Sequence, residues 1–324
     1  MEGQRPERGA DGRRLIGEDE AACAHRRKRN ILLADLGLVF VALFWGGGFV
    51  AGKFALEEIS PLMLNAYRYI GAVAVMLVFC ARRLPKMNKK LLLPAGAIGF
   101  LMFLGNSLQT VGLLYTTPGK QSFIISLYTV LVPLMSWIIL KERPSKKIIA
   151  AAVTALFGIC LLTLTDDLTI GFGDGLTFIF AVTFSLQVIL IAIFMRDFDP
   201  LLFTFVQIGS AAVFSIISAF LFEAPVSLSG VSWQGITGLI YLATFNTAFA
   251  FLLQNLCQRY APANHTAIIL ASETVFGTFF AITLAGEIFT QRMIAGCILM
   301  FLAIIITKLP VISRKACSRQ ESEG

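Results

Sequence analysis

Charged residues are scarce in this sequence: Asp, Glu, Lys and Arg make up 15% of the 324 residues, whereas 56% are hydrophobic. Soluble domains usually carry about 25% charged residues. Beyond residue 30 almost no long polar stretch remains. These shortages exclude a soluble protein and leave no room for a large catalytic domain outside a membrane.

Residues and motifs for metal or nucleotide chemistry are also missing. The only histidines are His25 and His265, and the six cysteines show no CxxC spacing. There is no GxxxxGKS or GxxxxGKT loop, no HExxH and no nucleophile elbow, which argues against ATP hydrolysis by this chain. We therefore expect no cofactor and no metal, and we interpret the cysteines as small buried hydrophobic residues.

Long apolar segments are what the sequence does contain. A bilayer core is spanned by about 20 helical residues, and ten segments come close to that length. They run approximately over residues 31–52, 60–81, 91–114, 120–140, 146–165, 173–195, 199–222, 234–256, 261–285 and 289–309. The short connections between them predict a compact bundle of transmembrane helices.

The basic residues orient these spans. With ten spans, 23 of the 27 Lys and Arg residues fall on the side that holds both termini, and only Lys53, Lys120 and Arg292 fall on the other. Arg68 lies within the second span. Because basic residues accumulate in cytoplasmic loops, this bias predicts a multi-pass protein of the cell (plasma) membrane with both termini in the cytoplasm. The net charge of +7 is thus an orientation signal rather than a sign of nucleic-acid binding.

The ends of the chain read as tails. Residues 1–30 are polar and Arg-rich, and no short apolar region with a small-residue cleavage site follows them. We predict a disordered cytoplasmic tail over 1–30 and a second cytoplasmic tail over 310–324. Between them lie two five-span units, residues 31–165 and 171–309.

The two halves resemble each other at an offset of 145 residues. When residues 105–142 are placed over 250–287 without a gap, seven of 38 positions match. The polar matches are Gln109 with Gln254, Tyr115 with Tyr260 and Glu142 with Glu287. Since each half has an odd number of spans, the second copy enters the membrane from the opposite face. The sequence therefore predicts an inverted repeat, a common construction in secondary transporters.

Several segments carry a resemblance to a known family. They are WGGGFVAGKFAL (45–56), SPLMLNAYRY (60–69), LYTVLVPLMSWIILKERPS (127–145) and SETVFGTFFAITLAGE (272–287). In their order and duplication these segments resemble the drug/metabolite transporter superfamily, specifically its ten-helix EamA-type members. The resemblance covers residues 31–309. Where the family has a proline after the glutamate of the ninth span, this sequence has Thr274.

The resemblance implies an all-α membrane protein of ten transmembrane helices, built as two inverted five-helix repeats. It also implies export or uptake of small organic solutes, often amino acids or related metabolites. Spans four and nine, with one, two, three, six and eight, would line the central cavity.

Glu273 is the first candidate for a substrate-binding or coupling residue. It lies near the middle of the ninth span, where an ionised carboxylate costs roughly 2.5–3.5 kcal/mol on insertion scales. Such residues usually face water, a substrate or a partner charge. A structural carboxylate bonded to a neighbouring helix is the alternative.

Two further candidates are polar groups in the second and fourth spans. Tyr128 is the repeat partner of Glu273, and either lines the same cavity or packs in the core. Arg68 either binds a substrate carboxylate, pairs with Glu273 or extends to the membrane interface.

The remaining candidates could bind a polar solute or simply hold helices together. Trp45 precedes three glycines that allow either close packing or a hinge. The amides can read a solute or hydrogen-bond between helices. They are Asn106, Gln109, Gln187, Asn246 and Gln254.

These observations favour a secondary transporter, not an enzyme, that moves a small organic metabolite by alternating access. Its expected partners are the solute, the lipid bilayer and, where transport is coupled, protons. The alternatives are a membrane-embedded enzyme, which would need clustered acid, base or metal ligands, and a membrane receptor or assembly factor without flux.

Overall fold

The computed structural model describes residues 11–116, 118–141, 143–163, 171–285 and 290–308, and within them it contains helices and short connections but no strand. The first half comprises α1 (Asp11–Leu56), α2 (Pro61–Cys80), α3 (Leu92–Gly112), α4a (Pro118–Ser126), α4b (Tyr128–Leu140) and α5 (Lys146–Thr163). The second half comprises α6 (Phe172–Phe194), α7 (Pro200–Phe222), α8a (Trp233–Tyr241), a π-helix (Leu242–Phe249), α8b (Ala250–Gln258), α9a (Ala263–Leu270), α9b (Glu273–Ala285) and α10 (Gln291–Lys308).

Eight helical segments of the described chain are long and apolar enough to cross a membrane. They are α1, α2, α3, the joined α4a and α4b, α6, α7, the whole of α8, and the joined α9a and α9b. The last helix, α10, is a shorter apolar helix, and it packs along α5. The prediction of an all-helical membrane protein is therefore confirmed.

Helix α1 starts well before its apolar part. It begins at Asp11, inside the segment that the sequence analysis assigned to a disordered tail. A helix that is already nucleated lengthens at little cost per residue, and the segment has Arg, Glu and Ala, which are good helix formers. Residues 1–10 and 309–324 lie outside the described residues, as does Glu142.

The fourth and ninth helices are interrupted at equivalent positions. The break follows Ser126 in one and Leu270 in the other. At each break a threonine hydroxyl donates to a carbonyl three residues back: Thr129 Oγ1 to Ser126 O at 2.9 Å, and Thr274 Oγ1 to Ala271 O at 2.7 Å. These bonds satisfy carbonyls near the interruption. The ninth helix thus breaks although Thr274 stands where the family has proline.

The eighth helix contains a wider turn. Between α8a and α8b the chain forms a π-helix over Leu242–Phe249. Such segments are rare and often occur at functional sites. This one places Asn246 and Thr247, two successive residues, against the same partner on α2.

The packing of the helices repeats when the two halves are exchanged. Helix α3 packs against α6 and α7, and its counterpart α8 packs against α1 and α2. Helix α1 packs against α9, and its counterpart α6 packs against α4. The pairs α2 with α7 and α5 with α10 are their own counterparts. A two-fold relation between the halves produces this pattern, as expected for an inverted repeat.

Candidate functional site

A cavity of about 140 Å³ lies between the two halves, beside the breaks in the fourth and ninth helices. Its walls come from helices one, two, three, four, six, eight and nine, the seven helices named in the sequence analysis. Seven of the nine predicted site residues line it. They are Trp45, Arg68, Asn106, Gln109, Tyr128, Asn246 and Glu273.

Glu273 and Tyr128 meet at the inner end of this cavity. The Tyr128 hydroxyl donates a long hydrogen bond of 3.4 Å to Glu273 Oε1. Glu273 is 7% exposed and Tyr128 is fully buried. Because Glu273 is the first residue of α9b, its carboxylate lies at the positive end of that helix dipole. The Tyr128 ring packs edge-on against Phe184, with ring centroids 4.9 Å apart.

Arg68 is held against the π-helix rather than against the acid. Its Nε donates to Thr247 Oγ1 at 2.5 Å, and a terminal nitrogen donates to Asn246 Oδ1 at 2.8 Å. The described residues therefore show no Arg68–Glu273 ion pair, which was one of the alternatives open from the sequence. Arg68 still lines the cavity, so a guanidinium and a carboxyl face one enclosed space.

Asn246 joins this arginine to the first helix. Its Nδ2 donates to Phe44 O at 3.0 Å, and its backbone carbonyl accepts a hydrogen bond of 3.1 Å from Trp45 Nε1. The close approach requires glycine at position 48, because a Cβ there would overlap the Asn246 amide. All three glycines in the Gly46–Gly48 run thus let α1 approach its neighbours. Gly48 faces α8, a Cβ on Gly47 would overlap the Tyr241 hydroxyl on α8a, and a Cβ on Gly46 would lie 2.6 Å from Phe276 Cβ on α9b.

Amide side chains from α2, α3 and α4a form a further part of the cavity wall. Asn106 Nδ2 donates to Met102 O at 2.8 Å within α3, and Asn65 Nδ2 donates to Thr110 Oγ1 at 3.1 Å. Gln121 Nε2 donates to Gln109 O at 2.7 Å, which leaves the Gln109 side chain lining the cavity. This wall offers both donors and acceptors to a polar solute.

The cavity reaches one end of the bundle only. Its outer wall includes Lys53, which is exposed, and Leu56, both in the last turns of α1. Towards the other end, fully buried apolar side chains fill the space between the helices. Among them are Leu38, Val41, Val132, Val188 and Ile268.

Gln187 and Gln254 lie within this filled part and do not line the cavity. Gln254 Nε2 donates to Gln258 Oε1 at 3.0 Å, and Gln258 Nε2 donates to Val188 O at 2.8 Å. Gln187 Nε2 and Gln254 Oε1 are buried and have no hydrogen-bond partner among the described residues. A role for these two amides in solute binding stays a prediction.

Sequence reasoning missed several residues that line the cavity. Asn65 lies three residues before Arg68, so helical spacing alone places both on one face of α2. Gln121 is the only amide of the fourth helix, and this could have drawn attention to it. No sequence signal marked Phe180 and Phe184, because phenylalanine is common throughout the chain.

The site has the features of a binding site for a small polar molecule. Within the described part of the chain, no group of three or more His, Cys, Asp or Glu side chains could hold a metal ion. The cavity combines one acid, one guanidinium, several amides and an aromatic wall. Apolar walls with a few fixed polar groups are typical of small-molecule sites.

Comparison with known proteins identifies relatives along nearly the whole chain. The profile of the EamA-like transporter family matches twice, at residues 32–164 and 171–309. An uncharacterized transporter of Archaeoglobus fulgidus is 33% identical, covering 86% of this chain and 87% of that protein. The uncharacterized transporter YoaV of Bacillus subtilis is 24% identical over 86% of this chain and 98% of its own. Protein PagO of Salmonella typhimurium is 25% identical over 85% and 94%.

A solved crystal structure shares the fold. It superposes with a TM-score of 0.70 at 18% identity, covering 85% of this chain and 96% of that one. The names of the relatives indicate a membrane transporter rather than an enzyme. From the double profile match and these relatives, we conclude that the chain belongs to the EamA-like transporter family.

Proposed function

We propose that this protein is a secondary transporter of a small organic solute with a carboxylate, such as an amino acid or a related metabolite. The observation that carries the proposal is the cavity between the halves, which presents Arg68 and Glu273 and is closed at one end. The solute would cross the cytoplasmic membrane by alternating access, the mode that inverted repeats support.

Arg68 is suited to bind the solute's carboxylate. A guanidinium has five N–H donors in a planar fork, and its bonds to Thr247 and Asn246 occupy Nε and one terminal nitrogen. Donors on the terminal nitrogens therefore remain for a carboxylate, which arginine binds with two parallel bonds. The bonds to α8 fix the orientation of the fork before a solute arrives.

Glu273 is suited to bind an amino group or to exchange a proton. It contributes a carboxyl to the cavity, and its bond of 3.4 Å to Tyr128 is long enough to be exchanged for a better one. Opposite charges on Arg68 and Glu273 would favour a zwitterion over a neutral solute. Proton coupling would arise if the carboxyl gained a proton when the solute left.

The basic residues support an orientation with both termini in the cytoplasm. The cavity would then open to the outside, because its mouth lies at the C-terminal end of α1, beside Lys53 and Leu56, on the side with few Lys and Arg residues. The conformation described here would be outward-facing.

The test is uptake into proteoliposomes from a mixture of isotope-labelled amino acids, with and without a pH gradient. We expect at least one labelled amino acid to accumulate above the level in empty liposomes. Glu273→Gln should lose that uptake or its dependence on the pH gradient, whereas Glu57→Gln, an exposed carboxylate in the α1–α2 connection, should retain both. Uptake equal to that of empty liposomes for every amino acid would overturn the proposed substrate class.

A further inference from the structure

The two halves can be aligned residue by residue. The two matches of the family profile begin at 32 and 171, and end at 164 and 309, so the offset is 139 residues at the start of the halves and 145 at their end. Contacts show where each offset applies. A Cβ on Gly37 would overlap Cys257 Sγ, and a Cβ on Gly112 would lie 3.4 Å from Leu176 Cβ. Adding 139 to 37 gives 176, and adding 145 to 112 gives 257.

Two side-chain contacts have an equivalent in the other arrangement of the halves when the offsets of 139 and 145 are applied. Asn65 Nδ2 donates to Thr110 Oγ1 at 3.1 Å, and the equivalent pair is Thr204 Oγ1, which accepts from Asn255 Nδ2 at 2.8 Å.

In the same way, Arg68 donates to Thr247 Oγ1, and its counterpart Gln207 donates to Met102 Sδ at 3.7 Å. Helices one and two therefore map onto six and seven at 139, and helices three and four onto eight and nine at 145.

This mapping links the open end of the cavity to its closed end. Four residues line the outer part of the cavity and are partly exposed: Gly48, Phe49, Gln109 and Leu113. Their counterparts in the other half do not line the cavity, and each is 2% exposed or less. They are Gln187, Val188, Gln254 and Gln258.

The buried amides at the closed end have unmet hydrogen-bonding capacity. Within the part of the chain that the structure describes, Gln187 Nε2 and Gln254 Oε1 are buried and have no hydrogen-bond partner. Buried polar groups in folded proteins nearly always have one. Amides placed only for packing would be costly here. Amides that meet water or a solute in a second conformation would not.

We infer that Gln187, Gln254 and Gln258 line the solute path when the transporter opens at its other end. In the conformation described here, the bond from Gln258 to Val188 O closes that end. In the other conformation, Phe49 and Leu113 come together and close the present mouth. This inference rests on the proposed alternating access and names the residues that carry it out.

Thiol labelling in oriented membrane vesicles tests the inference without any knowledge of the solute. The variants are Gln109→Cys and Gln254→Cys, and the probe is a charged, membrane-impermeant methanethiosulfonate. Labelling is scored at the introduced cysteine by mass spectrometry, so the native cysteines stay in place. We expect Gln109→Cys to be labelled from one side of the membrane and Gln254→Cys from the opposite side.

Ser215→Cys is the matched control. Ser215 also has a buried hydroxyl with no partner in the described ranges, but both Ser215 and its counterpart Met76 are 0% exposed. Since this position is buried in both halves, a cysteine at residue 215 should stay unlabelled from either side of the membrane. If Ser215→Cys and Gln254→Cys are labelled alike, local unfolding explains the reaction and the inference fails.

A second variant tests the closing contact. Gln258→Leu introduces leucine, which its counterpart Leu113 already is at the open end, and removes the hydrogen bond to Val188 O. One interhelical hydrogen bond in a membrane protein shifts such an equilibrium by about threefold, so the labelling rate of Gln254→Cys should rise by at least about that factor. An unchanged rate in a folded, monodisperse variant would overturn the role of Gln258.

The outcomes separate this inference from the proposed function. If amino acids are taken up and Gln109→Cys is labelled while Gln254→Cys is protected from both sides, the transporter proposal stands and this inference fails. If Gln254→Cys is labelled from the opposite side but no amino acid is taken up, the path stands and the proposed substrate class fails.

Discussion

The role of Arg68 can be tested by replacing it with the residue that its counterpart already carries. Helix α7 has Gln207 at the equivalent position, where Gln207 Oε1 accepts from Asn255. Glutamine is therefore compatible with this kind of helix contact. In Arg68→Gln an amide can still reach Thr247 or Asn246, so we expect the protein to fold while the positive charge in the cavity is lost.

The size of the effect follows from the type of bond that is lost. A hydrogen bond to a charged group contributes about 1.5–3 kcal/mol. Since about 1.4 kcal/mol corresponds to a factor of ten, the affinity for a carboxylate solute should fall by about 10- to 150-fold. Arg68→Lys should be intermediate, because lysine keeps the charge but lacks the planar fork.

The assay compares an amino acid with its carboxamide as competitors of uptake in proteoliposomes. Wild-type protein should prefer the carboxylate by a factor in the same range, and Arg68→Gln should lose the preference. The control is Arg83→Gln, which removes an exposed ion pair of 2.8 Å with Asp199 outside the cavity. Full carboxylate selectivity in Arg68→Gln would mean that Arg68 only ties α2 to the π-helix.

Three further changes give independent checks. Tyr128→Phe removes the hydroxyl 3.4 Å from Glu273, and should lower flux by about 2- to 12-fold with an unchanged size-exclusion profile, whereas Tyr115→Phe at an exposed position should not. Gly48→Ala should destabilise the fold by about 1–3 kcal/mol because its methyl overlaps Asn246. In Gly52→Ala the added Cβ meets no described atom within 4 Å, so this variant should be neutral. Thermal unfolding, monitored by dye labelling of the buried Cys80 and Cys257, would show the difference. Hydrogen bonds from Ser232 lower the pKa of the exposed Glu58 carboxyl below its usual 4.5. These hydrogen bonds stabilise the folded state at pH values above the pKa that the carboxyl has in the unfolded state, and the stabilisation is lost as the pH falls through the pKa of the folded state. The melting temperature should therefore drop more on acidification in wild type than in Glu58→Gln.

Long-range patterns in the sequence were enough to predict the helices and most of the cavity. The apolar segments fix where helices lie, since a bilayer leaves few other structures for such segments. The offset of 145 was visible because polar pairs such as Gln109 and Gln254 stand out among apolar residues. The offset of 139 in the first two helices of each half was not seen, because those matches are mainly apolar and the loops differ in length.

What the sequence could not predict is which polar groups face the cavity in one conformation. Gln109 and Gln254 match in the sequence, yet one lines the cavity and the other is buried. Helix periodicity assigns a residue to a face, but it does not say whether that face is open or closed. The π-helix around Asn246 also has no signal in the sequence, since the partners of Asn246, Arg68 on α2 and Trp45 on α1, are far from it along the chain.

Under the proposed alternating access, the contact between Tyr128 and Glu273 would let one acid serve two oppositely oriented halves. The two residues are separated by the repeat offset of 145 and yet bond to each other at 3.4 Å, so the axis that relates the halves passes between them. A group on that axis would move least if the halves exchanged conformations, and it could then face the cavity at either end in turn. Two carboxylates at this distance would repel each other. A phenol opposite the acid avoids that repulsion and leaves a single carboxyl that both proposed conformations could reach.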